Sequence, residues 1–312
     1  MEVAIIGLGK MGFNLALNLL DHGFNVKGMD VNEQVVELAK SKNIDSYSEL
    51  DELLDGINGS KIIWLMLPSG KITEEIIERL SKKLKPGDIV IDGGNSNYKD
   101  SLRRYHKLLS NEIHFLDCGT SGGMDGSRNG ACLMIGGDKE VFALCEPIFK
   151  ALSCEGGYLY TGLPGSGHYL KMIHNGIEYG MMQAIGEGFD ILNACQYEYD
   201  LMDVAKLWNH GSVIRSWLME LAEDAFSNDA KLSSIKGIVN ASGEAKWTVQ
   251  EGLDLEIPLP VISSSLFVRN MTKIDDSFAA KVVASLRNGF GGHEVIIKWG
   301  MIYEKKIQNC SC

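Results

Sequence analysis

Val3-Ala4-Ile5-Ile6-Gly7-Leu8-Gly9-Lys10-Met11-Gly12 decides the fold of this chain. Four apolar residues run straight into a Gly-x-Gly-x-x-Gly, and a helix-period stretch follows. At a strand-to-helix turn the first glycine permits a tight bend, the second lets a pyrophosphate approach the backbone, and the third lets the helix pack closely. The free N–H groups and positive dipole end of the helix then face the phosphates. On this reading Gly7, Leu8, Gly9, Lys10, Met11 and Gly12 bind a dinucleotide. The pattern alone also occurs in unrelated turns, and its place after the first strand gives it weight.

Working outward, the apolar runs Val3–Gly7, Asn25–Met29, Lys61–Leu67, Asp88–Asp92, His114–Asp117 and Cys132–Gly136 alternate with helical patterns. That alternation predicts parallel βαβ units in a doubly wound, Rossmann-type α/β sheet. After Leu163-Pro164-Gly165-Ser166-Gly167 the strand signals stop. A long pattern from about His168 to Asn193 carries Met172, Ile173, Ile177, Met181, Ile185 and Phe189 at helical spacing, so the carboxyl-terminal part is predicted to be all-helical. The chain of 312 residues is long enough for two domains, divided here into 1–164 and 165–312.

Asp30 ends the second run, where a carboxylate accepts hydrogen bonds from the adenosine ribose and repels a 2′-phosphate, which favours NAD over NADP. The other reading, a turn or helix-cap residue, is compatible with the first. Leu67 and Pro68 follow a strand at its carboxyl end and are placed in the cofactor pocket. Asn95, in Asp92-Gly93-Gly94-Asn95-Ser96, offers a donor and an acceptor near the nicotinamide, although the same residues make ordinary turns.

Composition narrows the class. Apolar residues make up 45% and charged residues 23%, as in a globular protein, and no apolar run reaches the ~20 residues of a membrane span. A net charge of −11 argues against a nucleic-acid partner. The seven cysteines are scattered and lack C-x-x-C spacing, which reads as reduced thiols with no metal site. Met1-Glu2 passes directly into the first apolar run, without the basic region of a secretory signal, so a cytoplasmic location is expected.

The most informative block is Gly167-His168-Tyr169-Leu170-Lys171-Met172-Ile173-His174-Asn175-Gly176-Ile177-Glu178-Tyr179-Gly180. On a helix Lys171, Asn175 and Glu178 share one face, and Ile173 and Ile177 are expected to pack on an adjoining one. A solvated Lys–Glu face is the plain alternative. Against it, Gly167, Gly176 and Gly180 cost helix stability and point to close approach by another group. A partly desolvated amine acts as a base near neutral pH.

The stretch Lys171 to Gly180 resembles the signature of the decarboxylating 6-phosphogluconate dehydrogenases. So do Gly7–Gly12, Asp92–Tyr98, Ser121-Gly122-Gly123 with Asp125-Gly126, and Arg287–His293, in order along the chain. The chain is similar to the family's short form. The resemblance implies oxidative decarboxylation of 6-phosphogluconate to ribulose 5-phosphate and CO2, as in the pentose phosphate pathway. It implies Lys171 as the base at the C3 hydroxyl and Glu178 as the acid that protonates the enediol. Asn95, Ser121, Gly122, Gly123, His174 and Asn175 would orient the substrate. Tyr179, Arg269, Arg287 and His293 would meet its phosphate, the last two from a neighbouring subunit, which implies a homodimer. No metal is implied.

Two features depart from the long forms. Their phosphate-binding Lys-Gly-Thr is replaced by Ser242-Gly243-Glu244, with Lys246 as the substitute charge, and Asp30 departs from their NADP-preferring pattern. Arg269 and Arg287 also read as ordinary surface charges. The rival functions are another β-hydroxyacid dehydrogenase, such as one acting on 3-hydroxyisobutyrate, and a catalytically silent NAD-binding protein.

Overall fold

The computed structural model describes residues 1–241 and 243–297. Ser242, Cys310, Cys312 and the polar tail from Gln308 lie outside the described residues. Eight strands, β1 (Glu2–Ile6), β2 (Asn25–Met29), β3 (Asp45–Tyr47), β4 (Ile62–Leu65), β5 (Ile89–Asp92), β6 (His114–Ser121), β7 (Ala131–Gly137) and β8 (Ser153–Gly162), form one sheet. Their order is β3-β2-β1-β4-β5-β6-β7-β8. Helices α1 (Lys10–Asp21), α2 (Glu33–Ser41), α3 (Leu50–Gly56), α4 (Lys71–Lys83), α5 (Tyr98–Leu109), α6 (Gly123–Asn129) and α7 (Lys139–Leu152) connect them. Beyond Gly162 the described residues form helices only: α8 (Ser166–Ala194), α9 (Leu201–Asn209), α10 (Trp217–Asn228), α11 (Gly243–Asp254), α12 (Pro260–Met271) and α13 (Phe278–Gly291).

The sheet is Rossmann-like, as expected, with three differences of detail. Strand β6 runs on to Ser121 and pairs antiparallel with β7. The link from Gly122 to Gly130 is shorter than the dozen or so residues that a parallel crossover needs, and Gly122, at φ +117°, starts the reversal. Strands β3 and β8 carry no apolar run and escaped the sequence reading. Asp45-Ser46-Tyr47 is held at one edge by pairing with β2 and by a Lys27–Asp45 ion pair, and Ser153–Gly162 forms the other edge against β7.

Alternation along β1 shows why the sheet is covered on both faces. Val3 and Ile5 pack with Leu15 and Leu19 of α1 and Phe149 of α7, whereas Ala4 and Ile6 pack with Leu53 of α3, Leu80 of α4 and Leu108 of α5. Each fully buried Leu, Ile or Phe contributes roughly 1.5–3 kcal/mol. The helical end is built more thinly. Phe189, Leu201, Ala205, Met219 and Phe226 form one small core, and Tyr179, Ala245 and Leu266 another. Helix α13 buries none of its residues, and Phe278 and Phe290 are 78% and 79% exposed.

The long helix α8 is seated directly on the sheet. The N–H groups of Gly165 and His168 donate to the two carboxylate oxygens of buried Asp117 on β6, at 2.6 and 2.8 Å, which satisfies orphan donors at the helix start. Close contact depends on missing side chains: a Cβ on Gly167 would lie 2.3 Å from the Met134 carbonyl oxygen, and one on Gly119 would lie 2.4 Å from the Lys171 Cβ. Lys171 is thereby pressed against the end of β6. Among the described residues no helix is long and apolar enough to cross a membrane.

Candidate active site

A cleft of about 1430 Å³ opens at the carboxyl ends of β1 and β4, where the strand order reverses and α/β sheets place their ligands. Its sheet-side wall follows from backbone geometry. Gly7 sits at φ +94°, and a Cβ there would come within 2.5 Å of the Met66 carbonyl oxygen; one on Gly12 would come within 1.9 Å of the Gly7 carbonyl oxygen. A Cβ on Gly9 would meet nothing within 4 Å, so that glycine faces open space. One bend, one packing contact and one unobstructed approach fit a dinucleotide pyrophosphate.

Gly7, Gly9, Lys10, Met11, Gly12, Asp30, Leu67, Pro68 and Asn95 all line the cleft. Leu8 does not: its side chain is 2% exposed in the core, and only its N–H points the other way, donating to Asp30 Oδ2 at 2.8 Å. Asp30 Oδ1 accepts from the Asn32 N–H at 2.9 Å. Asp30 is therefore a turn residue as well as a cleft residue, and Asn32, whose side chain accepts from Gln34 N–H, is the cap of α2.

The opposite wall is α8. Lys171, His174, Asn175 and Glu178 line it and face Ser121, Gly122 and Gly123 at the β6–α6 turn. His174 is the hub of this group. Its Nδ1 lies 3.0 Å from Asn175 Oδ1, 3.5 Å from Lys171 Nζ and 3.7 Å from Glu178 Oε2, and its Nε2 lies 3.2 Å from Ser121 Oγ. The neutral tautomer with hydrogen on Nδ1 donates to Asn175 and accepts from Ser121. Burial holds the Lys171 ammonium below its ordinary pKa, against the opposing pull of Glu178, Glu244 and Cys132.

Ile173 and Ile177 do not form a packed adjoining face; both line the cleft, and Ile177 is 52% exposed. The helical glycines do mark close approach. A Cβ on Gly176 would lie 2.7 Å from Thr248 Cγ2, and Thr248 Oγ1 donates to the Met172 carbonyl oxygen at 2.7 Å, so α11 crosses α8 there. The sequence reading missed Trp217, Leu218 and Leu221 of α10, which close the apolar side of the cleft. Only their place in an amphipathic helix signalled them.

The expected phosphate ligands are not gathered in the same way. Tyr179 is buried beneath Arg269, whose guanidinium carbon stands 3.4 Å from the ring centroid in a cation–π contact. Arg269 reaches toward Met182, a cleft residue, but does not line the cleft itself. Lys246 is exposed on α11, Arg287 is exposed on α13, and His293 is exposed just beyond it. Glu244 is 3% exposed, and its Oε2 has no hydrogen-bond partner among the described residues.

A dinucleotide cleft closed by a lysine-bearing helix defines an oxidoreductase built on a nicotinamide-cofactor fold. Residues 2–162 match the NAD binding domain of 6-phosphogluconate dehydrogenase, and residues 167–294 match the 6-phosphogluconate dehydrogenase C-terminal domain. A Bacillus subtilis protein provisionally named 6-phosphogluconate dehydrogenase YqeC is 51% identical, over 94% of this chain and 98% of its own length. An NAD(+)-dependent, decarboxylating 6-phosphogluconate dehydrogenase of Haloferax volcanii is 40% identical, over 96% and 99%. Among solved structures, Plasmodium falciparum 6-phosphogluconate dehydrogenase, studied with its cofactor NADP+ and with 6-phosphogluconate, superposes with a TM-score of 0.80 at 30% identity. That match covers 97% of this chain and 67% of the Plasmodium chain. The chain belongs to the 6-phosphogluconate dehydrogenase family.

Proposed function

We propose that this protein oxidatively decarboxylates 6-phosphogluconate with NAD. The observation that carries the reading is Lys171, buried on α8 and within reach of His174, on the wall that faces the dinucleotide cleft. A bound nicotinamide supplies the hydride acceptor at C3 of the substrate. Neutral Lys171 takes the C3 hydroxyl proton as the carbonyl forms. When the carboxylate then leaves as CO2, its bonding pair moves toward C3, and protonated Lys171 returns its proton to the carbonyl oxygen. Glu178 then protonates the carbon that becomes C1 of ribulose 5-phosphate, while Lys171, neutral again, takes the enol hydroxyl proton so that the ketone forms. Asn95, Ser121, Gly122, Gly123, His174 and Asn175 hold the carboxylate and hydroxyls in register.

Asp30, in the cleft and already oriented by two backbone N–H groups, supports a preference for NAD. The proposal includes division at residue 164 into a cofactor domain and a helical domain that binds substrate and dimerises. Supporting this, the strands end at Gly162, and the two family models meet between 162 and 167. In a homodimer the exposed Arg287 and His293 of one subunit complete the phosphate site of the other, with Tyr179, Arg269 and Lys246 contributing from within.

The deciding assay follows nicotinamide reduction with 6-phosphogluconate, gluconate and 3-hydroxyisobutyrate, each with NAD and with NADP. Turnover of 6-phosphogluconate with NAD and release of CO2 is expected. Turnover only of an unphosphorylated acid assigns the protein to another β-hydroxyacid dehydrogenase, the reading that buried Glu244 favours. Cofactor binding with no turnover makes it a silent member of the fold.

A further inference from the structure

Arg104, on α5, has a side chain with no exposed surface, yet it lies outside the cleft and outside every step proposed above. Its Nη1 donates to Asp92 Oδ2 at 2.6 Å and to Ser96 Oγ at 2.7 Å. Its Nε donates to Glu74 Oε1 at 2.9 Å, and Nη2 lies 2.7 Å from the same oxygen as an ion pair. Asp92 is 1% exposed, and its other oxygen accepts the Gly94 N–H at 3.2 Å, while Ser96 Oγ donates to Asp92 Oδ2 at 2.9 Å.

Asp92 and Ser96 bracket one loop of the sheet-side wall, and Glu74 lies on α4 just after the other, Leu67-Pro68. Gly93, Gly94 and Asn95 line the cleft between Asp92 and Ser96, both held by the guanidinium. Glu74 stands in the first turn of α4, beside Thr73, whose hydroxyl donates to the Pro68 carbonyl oxygen at 2.8 Å. The loops also touch directly, since a Cβ on Gly94 would lie 2.7 Å from the Leu67 carbonyl oxygen. A buried ion pair adds little stability over a well-packed apolar pair, because desolvation offsets its attraction; its best use is to select one arrangement of the chain. A planar fork with two acceptors on one loop and a third on the neighbouring helix is suited to that.

We infer that Arg104 is a positioning residue: it joins the Leu67-Pro68 and Gly93–Ser96 loops and so sets where Asn95 stands at the nicotinamide end of the cleft. The inference rests on the cofactor part of the function proposed above and not on the identity of the hydroxy acid. Lysine keeps the charge but loses the fork. Arg104→Lys therefore loosens both loops while leaving the Gly7–Gly12 turn and Asp30 as they are.

The test compares the binding of NADH with that of ADP-ribose, which lacks the nicotinamide, using the intact native protein, Arg104→Lys and the milder Ser96→Ala. In Arg104→Lys the affinity for NADH is expected to fall about tenfold, with ADP-ribose changed less than about twofold. Ser96→Ala, which removes the hydroxyl's hydrogen bonds with Arg104 and Asp92 and leaves the ions paired, shifts the same ratio in the same direction by less. Adding Asn95→Ala to Arg104→Lys costs no further NADH affinity if the two act in series. Equal losses for NADH and ADP-ribose, additive losses in the double variant, or no change in either ligand would overturn the inference. Binding is read without turnover, so a native protein that binds NADH but oxidises none of the three acids sinks the proposed reaction and leaves this test intact.

Discussion

The two walls of the cleft are built by different means. The sheet side is made by backbone turns at strand ends, and its parts come from short neighbouring stretches: Gly7–Gly12, Asp30, Leu67-Pro68 and Asn95. The helical side is made by side chains from elements far apart in sequence, and it divides again. Lys171, His174, Asn175 and Glu178 lie on one helix and meet, whereas Arg287 and His293, proposed for the phosphate, stand exposed on α13, which buries none of its residues, and just beyond it. A site formed by one motif completes itself wherever that motif folds. A site shared among surfaces is complete only when the surfaces are brought together.

The largest effect expected from this contrast comes from Lys171→Ala. If the helical wall supplies the chemistry and the sheet wall the cofactor, turnover falls by about 10²–10⁴-fold, the usual contribution of a positioned base. NADH affinity by fluorescence titration stays within about twofold. Retained turnover would remove Lys171 from the reaction, and lost NADH binding would show that the two walls do not work separately.

Arg287→Ala tests the shared surface. Losing a charge-assisted contact to phosphate, worth about 1.5–3 kcal/mol, raises KM for 6-phosphogluconate roughly 10–150-fold with little change in kcat. Mixing this variant with Lys171→Ala should restore part of the activity, because a mixed dimer contains one site with both residues native. No restoration in mixed dimers places Arg287 in its own subunit's site or in none.

What the sequence made legible follows the same division. The sheet's central strands, the cofactor turn and the face shared by Lys171, Asn175 and Glu178 each depend on local period and turn chemistry, and the structure shows them. Strands β3 and β8 were hidden because edge strands such as Asp45-Ser46-Tyr47 need no apolar run. The antiparallel β6–β7 pair was hidden because β6 reads through Gly119 to Ser121, which shortens a link that had looked long enough for a crossover. Leu8 holds a cofactor position of the motif, but its apolar side chain lies in the core and leaves only the N–H in play.

Asp30→Asn tests the sheet wall alone. An amide keeps one acceptor for the Leu8 or Asn32 N–H and removes the charge that repels a 2′-phosphate. The ratio of kcat/KM for NAD to that for NADP is expected to fall about tenfold, and an unchanged ratio would mean that Asp30 serves only the turn.

The smallest effect concerns Glu244 on α11, behind the helical wall. Burial lowers the pKa of Lys171 from its ordinary 10.5, while Glu178, Glu244 and Cys132 each raise it, and His174 Nδ1 stands 3.5 Å from the amine. A lysine base works when neutral, so kcat/KM rises as pH climbs through this pKa, and that rise falls below 10.5. Removing one neighbouring negative charge favours the neutral amine. Glu244→Gln should therefore move the acid limb of kcat/KM to lower pH, and at the pH where the native protein runs at half its plateau the gain is at most about twofold. If the limb stays in place while KM for 6-phosphogluconate drops, Glu244 acts on the phosphate and not on the amine. Glutamine would then have removed a repulsion on the substrate side of the cleft.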